Sequence, residues 1–324
     1  MSTIDVAGPM TGSLAATKGA GRDRAFRYLS LGAGCLVLLI LLAIVLSTTI
    51  KAWPVFSSQG LSYFTTKSFN QTTGEYGILA YVYGTIVVSF IAIVIAVPVS
   101  LGIALFVTEL APRRTRSWIT SVIDLLAAVP SVVFGLWGFL VLAPHLTGIF
   151  NSIHDAFSSV PVLKTIFGTT ASGQTFLTAG VIVALMITPI ITSITREVFL
   201  TVPRNDKDGA LALGATRWEM IRGVVMPHST GGMVGAIMLG LGRAMGETIA
   251  IALLIGANAQ IVANLFASGE AMPSVIVRNL PESSGDFQAA LIGLGVVLFA
   301  LTVGINILAR VMVGRIDVRM KGAS

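Results

Sequence analysis

Hydrophobic positions along this chain are gathered into six long runs, at about residues 28–50, 79–107, 118–143, 175–195, 231–258 and 287–313. A helix that crosses a bilayer needs roughly 20 mostly apolar residues, and each run meets that length. The pattern predicts an all-α membrane protein with six transmembrane helices. The first run exceeds the roughly 7–15 residues of a signal-peptide core, and no small-residue cleavage site obviously follows it, so it is expected to be retained.

The stretches between the runs are short. Residues 1–21 are rich in Gly, Ala, Ser and Thr with no hydrophobic period, which predicts a disordered tail reaching to about residue 27. The segment at 51–78 carries Trp53, Tyr63 and Tyr76, aromatic residues suited to the lipid–water boundary. In the segment at 144–174, IFNSIHDAFSSVPVLKTIF has spaced apolar residues that predict a short helix lying on the membrane. Pro98, Pro130 and Pro189 fall inside the second, third and fourth runs and predict bends there. In the fifth run, Gly231 with Gly235 and Gly242 with Gly246 have the small-xxx-small spacing that permits close backbone approach. No internal repeat is evident, which argues against an inverted-repeat carrier.

Composition agrees with the pattern and narrows it. With 54% of its 324 residues hydrophobic and 11% charged, the chain lies outside the balance of soluble domains, and no length is left for a separate soluble catalytic domain. Basic residues fall on one side. Lys18, Arg22, Arg24 and Arg27 precede the first run, and Arg113, Arg114 and Arg116 lie between the second and third. Arg196, Arg204, Lys207, Arg217 and Arg222 flank or fill the connection between the fourth and fifth, and Arg310, Arg315, Arg319 and Lys321 close the chain. The opposite side has only Lys51, Lys67, Lys164 and Arg278. Both termini are therefore expected in the cytoplasm. The net charge of +6 calls for membrane lipid of the anionic leaflet and for no nucleic acid.

Candidates for chemistry are few. Cys35 is the sole cysteine, so disulfides within the chain and cysteine zinc sites are excluded. His145, His154 and His228 lack any metal-ligand spacing, and no catalytic or metal role is assigned to them. Glu109 reads as an interface residue and Asp124 as a partly paired helix-end charge, while Glu270, Glu282 and Asp286 make the last outer loop an acidic surface.

The connection VPRNDKDGALALGATRWEMIRGVVMPHSTGG is the longest on the cytoplasmic side. Asn205 or Asp206 is placed to cap a first short helix, with Asp206 and Asp208 in its first turn, and Gly214 to end it in a left-handed conformation. A second helix, TRWEMIRGVVM, presents Trp218, Ile221, Val224 and Val225 at helical spacing before Pro227 stops it. By physics alone this is either a hairpin resting on the membrane or a projecting knob. Asp208-Gly209-Ala210, Gly214 four residues on, then Val224, Met226 and Pro227 resemble the EAA motif of ABC importer permeases in every spacing. The departures are Asp for Glu, Gly for Ala, Val for Ile and Met for Leu. Gly209 weakens the first helix by roughly 1 kcal/mol relative to Ala. The resemblance implies that this loop inserts into a groove on a separate ATPase, with Trp218 as an aromatic anchor. The chain has no G-x-x-x-x-G-K-[ST] phosphate loop and is expected to use no cofactor, leaving ATP and magnesium to that partner.

The fifth run holds GLGRAMGETIAIALLIG, with Arg243 and Glu247 in an otherwise apolar stretch. A charge at the bilayer centre costs about 2.5–3.5 kcal/mol on insertion scales and normally faces a protein interior or an aqueous path. Four apart, the two can meet on one helix face, either as a self-satisfying buried pair or as an anion site. Arginine suits an oxyanion because its planar fork donates in a bidentate way. The glutamate would then take over the guanidinium when the anion leaves, keeping binding weak enough for release.

GLGRAMGETIAI, with YGTIVVSFIAIVIAVPVSLGIALFVTEL at 83–110 and AAVPSVVFGLWG at 127–138, resembles the permeases of the phosphate-specific ABC importer over essentially the whole chain except the tail. The resemblance implies a type I (MetI-like) permease core at 79–313 with its coupling loop at 199–228, preceded by a first helix and outer loop at 28–78 and followed by a cytoplasmic tail at 314–324. It further implies a transporter subunit of the bacterial inner membrane. Its partners would be a second related permease, two copies of an ATPase and an external phosphate-binding protein. Arg243 and Glu247 would lie on the phosphate path. A permease for another oxyanion, such as sulfate or molybdate, and a stand-alone secondary carrier remain alternatives.

Overall fold

The computed structural model describes residues 20–170 and 172–321, without side chains at 20–22, 113 and 312–321. The expected tail at 1–19 and the last residues, 322–324, lie outside the described residues. Six helices among the described residues are long and apolar enough to span a membrane: Asp23–Gln59, Leu79–Leu110, Ser131–Phe157, Phe176–Leu200, Arg217–Gly246 and Gly285–Val311.

Helix α1, Ala20–Gln59, begins within the stretch expected to be disordered. Of the described residues, those up to Ile50 belong to a unit of their own, and from residue 23 they are exposed nearly throughout. From Lys51 the second unit starts with the end of α1, the short helix α2 (Ser62–Thr65) and a small antiparallel hairpin, β1 (Phe69–Asn70) and β2 (Glu75–Tyr76), in which Phe69 pairs with Tyr76. Of the three aromatic residues expected at the lipid boundary, only Trp53 is exposed. Tyr63 and Tyr76 are buried, and Tyr63 donates to the Ala290 carbonyl at 2.8 Å. A buried phenol with a partner packs as a core residue, which hydropathy along the chain does not reveal.

Helix α3 (Leu79–Leu105) continues through a π-turn, Phe106–Leu110. The third run does not form one span. Its first part is α4, Arg113–Ala128, which carries exposed Arg114, Trp118 and Asp124. At Val129 the backbone turns extended, ψ 127°, ahead of Pro130. Proline Cδ excludes the α conformation from the residue before it, so the helix stops there. The span that follows is α5 (Ser131–Trp137), a π-turn (Gly138–Leu142) and α6 (Ala143–Phe157). The surface helix expected within 144–174 is therefore mostly this span's end, followed by the short α7, Pro161–Ile166.

Helix α8, Phe176–Leu200, is the most buried of the spans. After it come α9 (Arg204–Ala212) and α10 (Arg217–Met220), then a π-turn (Ile221–Val225), and α11 (Met226–Gly246). Pro227 does not stop the helix. It sits at the start of α11, directly after the widened turn at 221–225, where Met226 N–H donates to Ile221 O. The fifth run breaks instead at Glu247. Its backbone is extended, ψ 127°, and a separate short helix, α12 (Ile249–Leu254), follows. Helix α13 (Met272–Asn279) and helix α14 (Gly285–Lys321) complete the unit. α14 runs on through the residues expected to form the C-terminal tail, up to Lys321.

The central core joins α3, α8, α11 and α12 through small and β-branched side chains, among them Val88, Ala92, Ile187, Ile191, Ala236 and Ala250. Lipid tails are as apolar as these residues, so close backbone approach and dispersion hold such helices together. The glycines that pack α11 are not the predicted ones. A Cβ on Gly232 would lie 2.5 Å from the methyls of Val198, and one on Gly240 would lie 2.6 Å from Cδ1 of fully buried Ile191. With Ala236 and Ala244 they form the stripe that seats α11 on the core. A Cβ on Gly235 or Gly246 meets nothing within 4 Å. Gly240→Ala is therefore expected to destabilise the purified protein by about 1–3 kcal/mol through overpacking, whereas Gly235→Ala leaves it unchanged or firmer. Detergent melting curves of the two variants check this, and equal midpoints would refute the assignment.

Candidate functional site

On the face of α11 that carries Gly231, Gly235, Gly242 and Gly246 lies a cavity of about 980 Å³. Its remaining walls are aliphatic, from residues such as Ile190, Met238 and Leu239, except for four polar residues: Arg243, Glu247, Asn306 and Arg310. The glycines withdraw side chains from the helix surface and so make the space. Both charged residues singled out in the sequence line this cavity, but they do not meet as an i, i+4 pair. Arg243 is exposed on the last turn of α11, whereas Glu247 lies past the helix end and is 8% exposed. The 3.6-residue repeat that would align them ends one residue before the glutamate. Among the described residues, neither belongs to an ion pair within 4.0 Å.

Helix α14 supplies what sequence reasoning missed here. Arg310, assigned by its position to the basic cytoplasmic end, opens into the same cavity, as does Asn306 one turn earlier. The signal was an Asn and an Arg four apart at the end of the last apolar run, NILAR.

The loop between α8 and α11 folds into two short helices, α9 and α10. Neither Asn205 nor Asp206 caps α9; Pro203 holds the N-cap position, and Asp206 lies in the first turn. Gly214 has φ +87°, the left-handed conformation expected of it, while Gly214 N–H donates to Leu211 O at 3.0 Å and Ala215 N–H to Ala210 O at 3.1 Å. α10 opens with a capping box, Thr216-Arg217-Trp218-Glu219, whose T-x-x-E signature was readable in the sequence. Leu213 is 91% exposed and Trp218 65% exposed. Asp208, Gly209 and Pro227 are exposed too, while Ala210, Val224 and Met226 are half-buried and anchor the loop. Lys207 donates to Glu109 at 2.6 Å, tying α9 to the π-turn after α3. Glu109 is thus an internal tether rather than a free interface residue.

Beyond Glu247, the chain folds back on itself. Glu270, expected on an acidic surface, is buried and receives Arg278 Nη1 at 2.7 Å, and Arg278 Nη2 donates to the carbonyls of Ala252 and Gly256 at the end of α12. Burial pushes the Glu270 carboxyl above the usual carboxylate range, and the Arg278 charge offsets part of the rise. The protonated acid is the better-tolerated form, so stability from its protonation is present at low pH and lost as pH rises through the raised pKa. Arg278→Gln removes the offset. Its melting temperature is expected to fall most near pH 8 and to recover as pH drops; a deficit independent of pH would contradict this.

Six candidate membrane spans and a cavity lined by charged groups of two of them are features that a membrane transport protein requires. The chain belongs to the family of binding-protein-dependent transport system inner membrane components, whose model matches residues 96–322. It is 42% identical over 299 residues to the phosphate transport system permease protein PstC of Mesorhizobium japonicum, covering 92% of this chain and 91% of that one. It is 39% identical over 286 residues to that of Haemophilus influenzae, covering 87% and 90%. Among solved structures it is similar, at 16% identity and TM-score 0.58, to a chain of a bacterial alginate ABC transporter in complex with an alginate pentasaccharide-bound periplasmic protein, over 93% of this chain and 99% of that chain. A chain of the MetNI methionine ABC transporter matches at 16% identity and TM-score 0.50, over 74% and 94%. The fold is thus that of type I ABC importer permeases, and the chain is a multi-pass transport-system component of the inner membrane.

Proposed function

We propose that this chain is the permease through which an ATP-driven importer passes inorganic phosphate into the cytoplasm by alternating access. The observation that carries the reading is the cavity on α11, where Arg243 and buried Glu247 lie within a chain similar over nine-tenths of its length to phosphate permeases. Arg243 offers two parallel N–H donors to phosphate oxygens. Glu247 faces the same space without being bound to the guanidinium, so arginine is available to an anion while the carboxylate limits how tightly the anion is held. Orientation with both termini cytoplasmic puts the α9–α10 loop inside the cell, where Leu213 and Trp218 fit a groove on an ATPase pair. A second related permease completes the path, and an external binding protein delivers phosphate. The chain itself binds no nucleotide; ATP and magnesium belong to the ATPase.

Labelled-phosphate uptake into proteoliposomes holding the whole complex tests this. Uptake should require ATP and the ATPase, and unlabelled phosphate should compete where sulfate and molybdate do not. Gradient-driven phosphate flux through this chain alone would point to a secondary carrier instead.

A further inference from the structure

We propose that Arg310, together with Asn306, is a second anion-binding limb of the cavity, to which phosphate passes from Arg243. This rests on the reading of the cavity as the phosphate path. The first ground is placement. Asn306 and Arg310 stand four apart on α14 and line the same space as Arg243 and Glu247. α14 meets α11 at this level, since a Cβ on Gly242, the residue before Arg243, would lie 3.9 Å from Asn306 Nδ2. The two helices therefore bring their polar residues to one cavity, with Asn306 beside Gly242 and Arg310 one turn further along α14.

Charge is the second ground. Among the described residues, Arg310 is in no ion pair within 4.0 Å, and Glu247 is the one acidic residue of the cavity lining. Two guanidiniums facing one carboxylate leave a single positive charge uncompensated, which a dihydrogen phosphate anion neutralises. With Arg243 alone, the carboxylate would already balance the site, and an entering anion would leave it with an excess negative charge. The third ground is the lack of other donors. Everything else on the lining is glycine or aliphatic, so Asn306 and the arginines are the side chains able to donate hydrogen bonds to a phosphate oxygen. An anion leaving Arg243 thus meets the Asn306 amide and then Arg310, and each step exchanges one donor set for the next.

The alternative role is an anchor. An arginine near the end of an apolar helix reaches the headgroups with its charge and needs no substrate. The test compares Arg310→Gln, Arg310→Lys and Arg243→Gln in the reconstituted whole complex, scoring subunit assembly, ATP hydrolysis and initial rates of labelled-phosphate uptake. The proposal expects Arg310→Gln to assemble and to lose roughly tenfold or more of its maximal uptake, with lysine recovering only part of it. Wild-type uptake by Arg310→Gln while Arg243→Gln is inactive would overturn the role of Arg310 and leave the phosphate path standing. Wild-type uptake by both would remove the path itself. Should the glutamine variant fail to assemble, lysine decides. Lysine keeps the charge and the anchor, so reduced uptake in an assembled complex supports the guanidinium contact. Wild-type uptake with lysine, or failure of both variants to assemble, assigns Arg310 a structural role and overturns the proposal.

Discussion

Arg243→Lys is expected to lower ATP-driven phosphate uptake by about ten- to hundredfold, with the complex still assembled. A hydrogen bond to a charged group is worth about 1.5–3 kcal/mol, and lysine keeps the charge while losing the planar fork that holds two oxygens at once. The side chain is exposed to the cavity on the last turn of α11 and belongs to no ion pair within 4.0 Å among the described residues, so its replacement leaves no internal partner stranded. Assembly should therefore survive. Uptake at the wild-type rate would sink the assignment. Exchanging the two charges, Arg243→Glu with Glu247→Arg, is not expected to restore uptake. Position 243 is helical and position 247 is extended, so the swapped groups do not regain each other's directions. Rescue by the swap would show that a mutual ion pair is what matters. Glu247→Gln is expected to slow turnover by holding the anion longer, and an unaltered rate would remove the reason to give the carboxylate a part in release.

Gly214→Val is expected to detach the ATPase or uncouple it from uptake. At φ +87° a non-glycine residue pays about 1–2 kcal/mol, and β-branching makes that region harder still to occupy. A Cβ here meets nothing within 4 Å, so the whole effect comes from the backbone. Relief requires breaking the bonds from Gly214 N–H and Ala215 N–H that close the end of α9. Leu213 and Trp218 would then lose their fixed relation across the bend, and a docking surface that depends on both would weaken roughly five- to thirtyfold. Pull-down of the ATPase subunit and ATP hydrolysis per phosphate imported read this directly. Gly214→Asn is the matched control, since asparagine enters the left-handed region at lower cost. An asparagine variant as defective as valine would place the fault outside the backbone.

Much of this architecture is carried by composition alone. Twenty or so apolar residues in water have one inexpensive destination, so the second, fourth and sixth spans fall within a few residues of where hydropathy puts them. Gly214 is legible for the same local reason, because only a residue without Cβ suits a left-handed helix end. The third and fifth runs were misplaced because hydropathy is blind to where a helix breaks. Val129 ahead of Pro130 and Glu247 after Gly246 are single backbone turns inside continuous apolar stretches. α11 carries two sets of small residues on different faces. Which set packs and which opens onto space depends on the neighbouring helix, and spacing is the same for both.

By itself, then, the sequence determined the all-helical membrane class, the number of spans, the bend in the loop between α8 and α11 and the presence of two charges that an apolar helix does not carry without cause. These follow from properties of single residues and short windows: transfer free energy, φ preference, donor geometry. Tertiary structure alone decided that Arg243 and Glu247 share a cavity without sharing an ion pair, that Arg310 and Asn306 join them from the last helix, and that Glu109 and Glu270 are tied inside by Lys207 and Arg278. Each of those outcomes is set by which surfaces of distant helices come together, and that depends on packing across the chain and not on any residue's immediate neighbours.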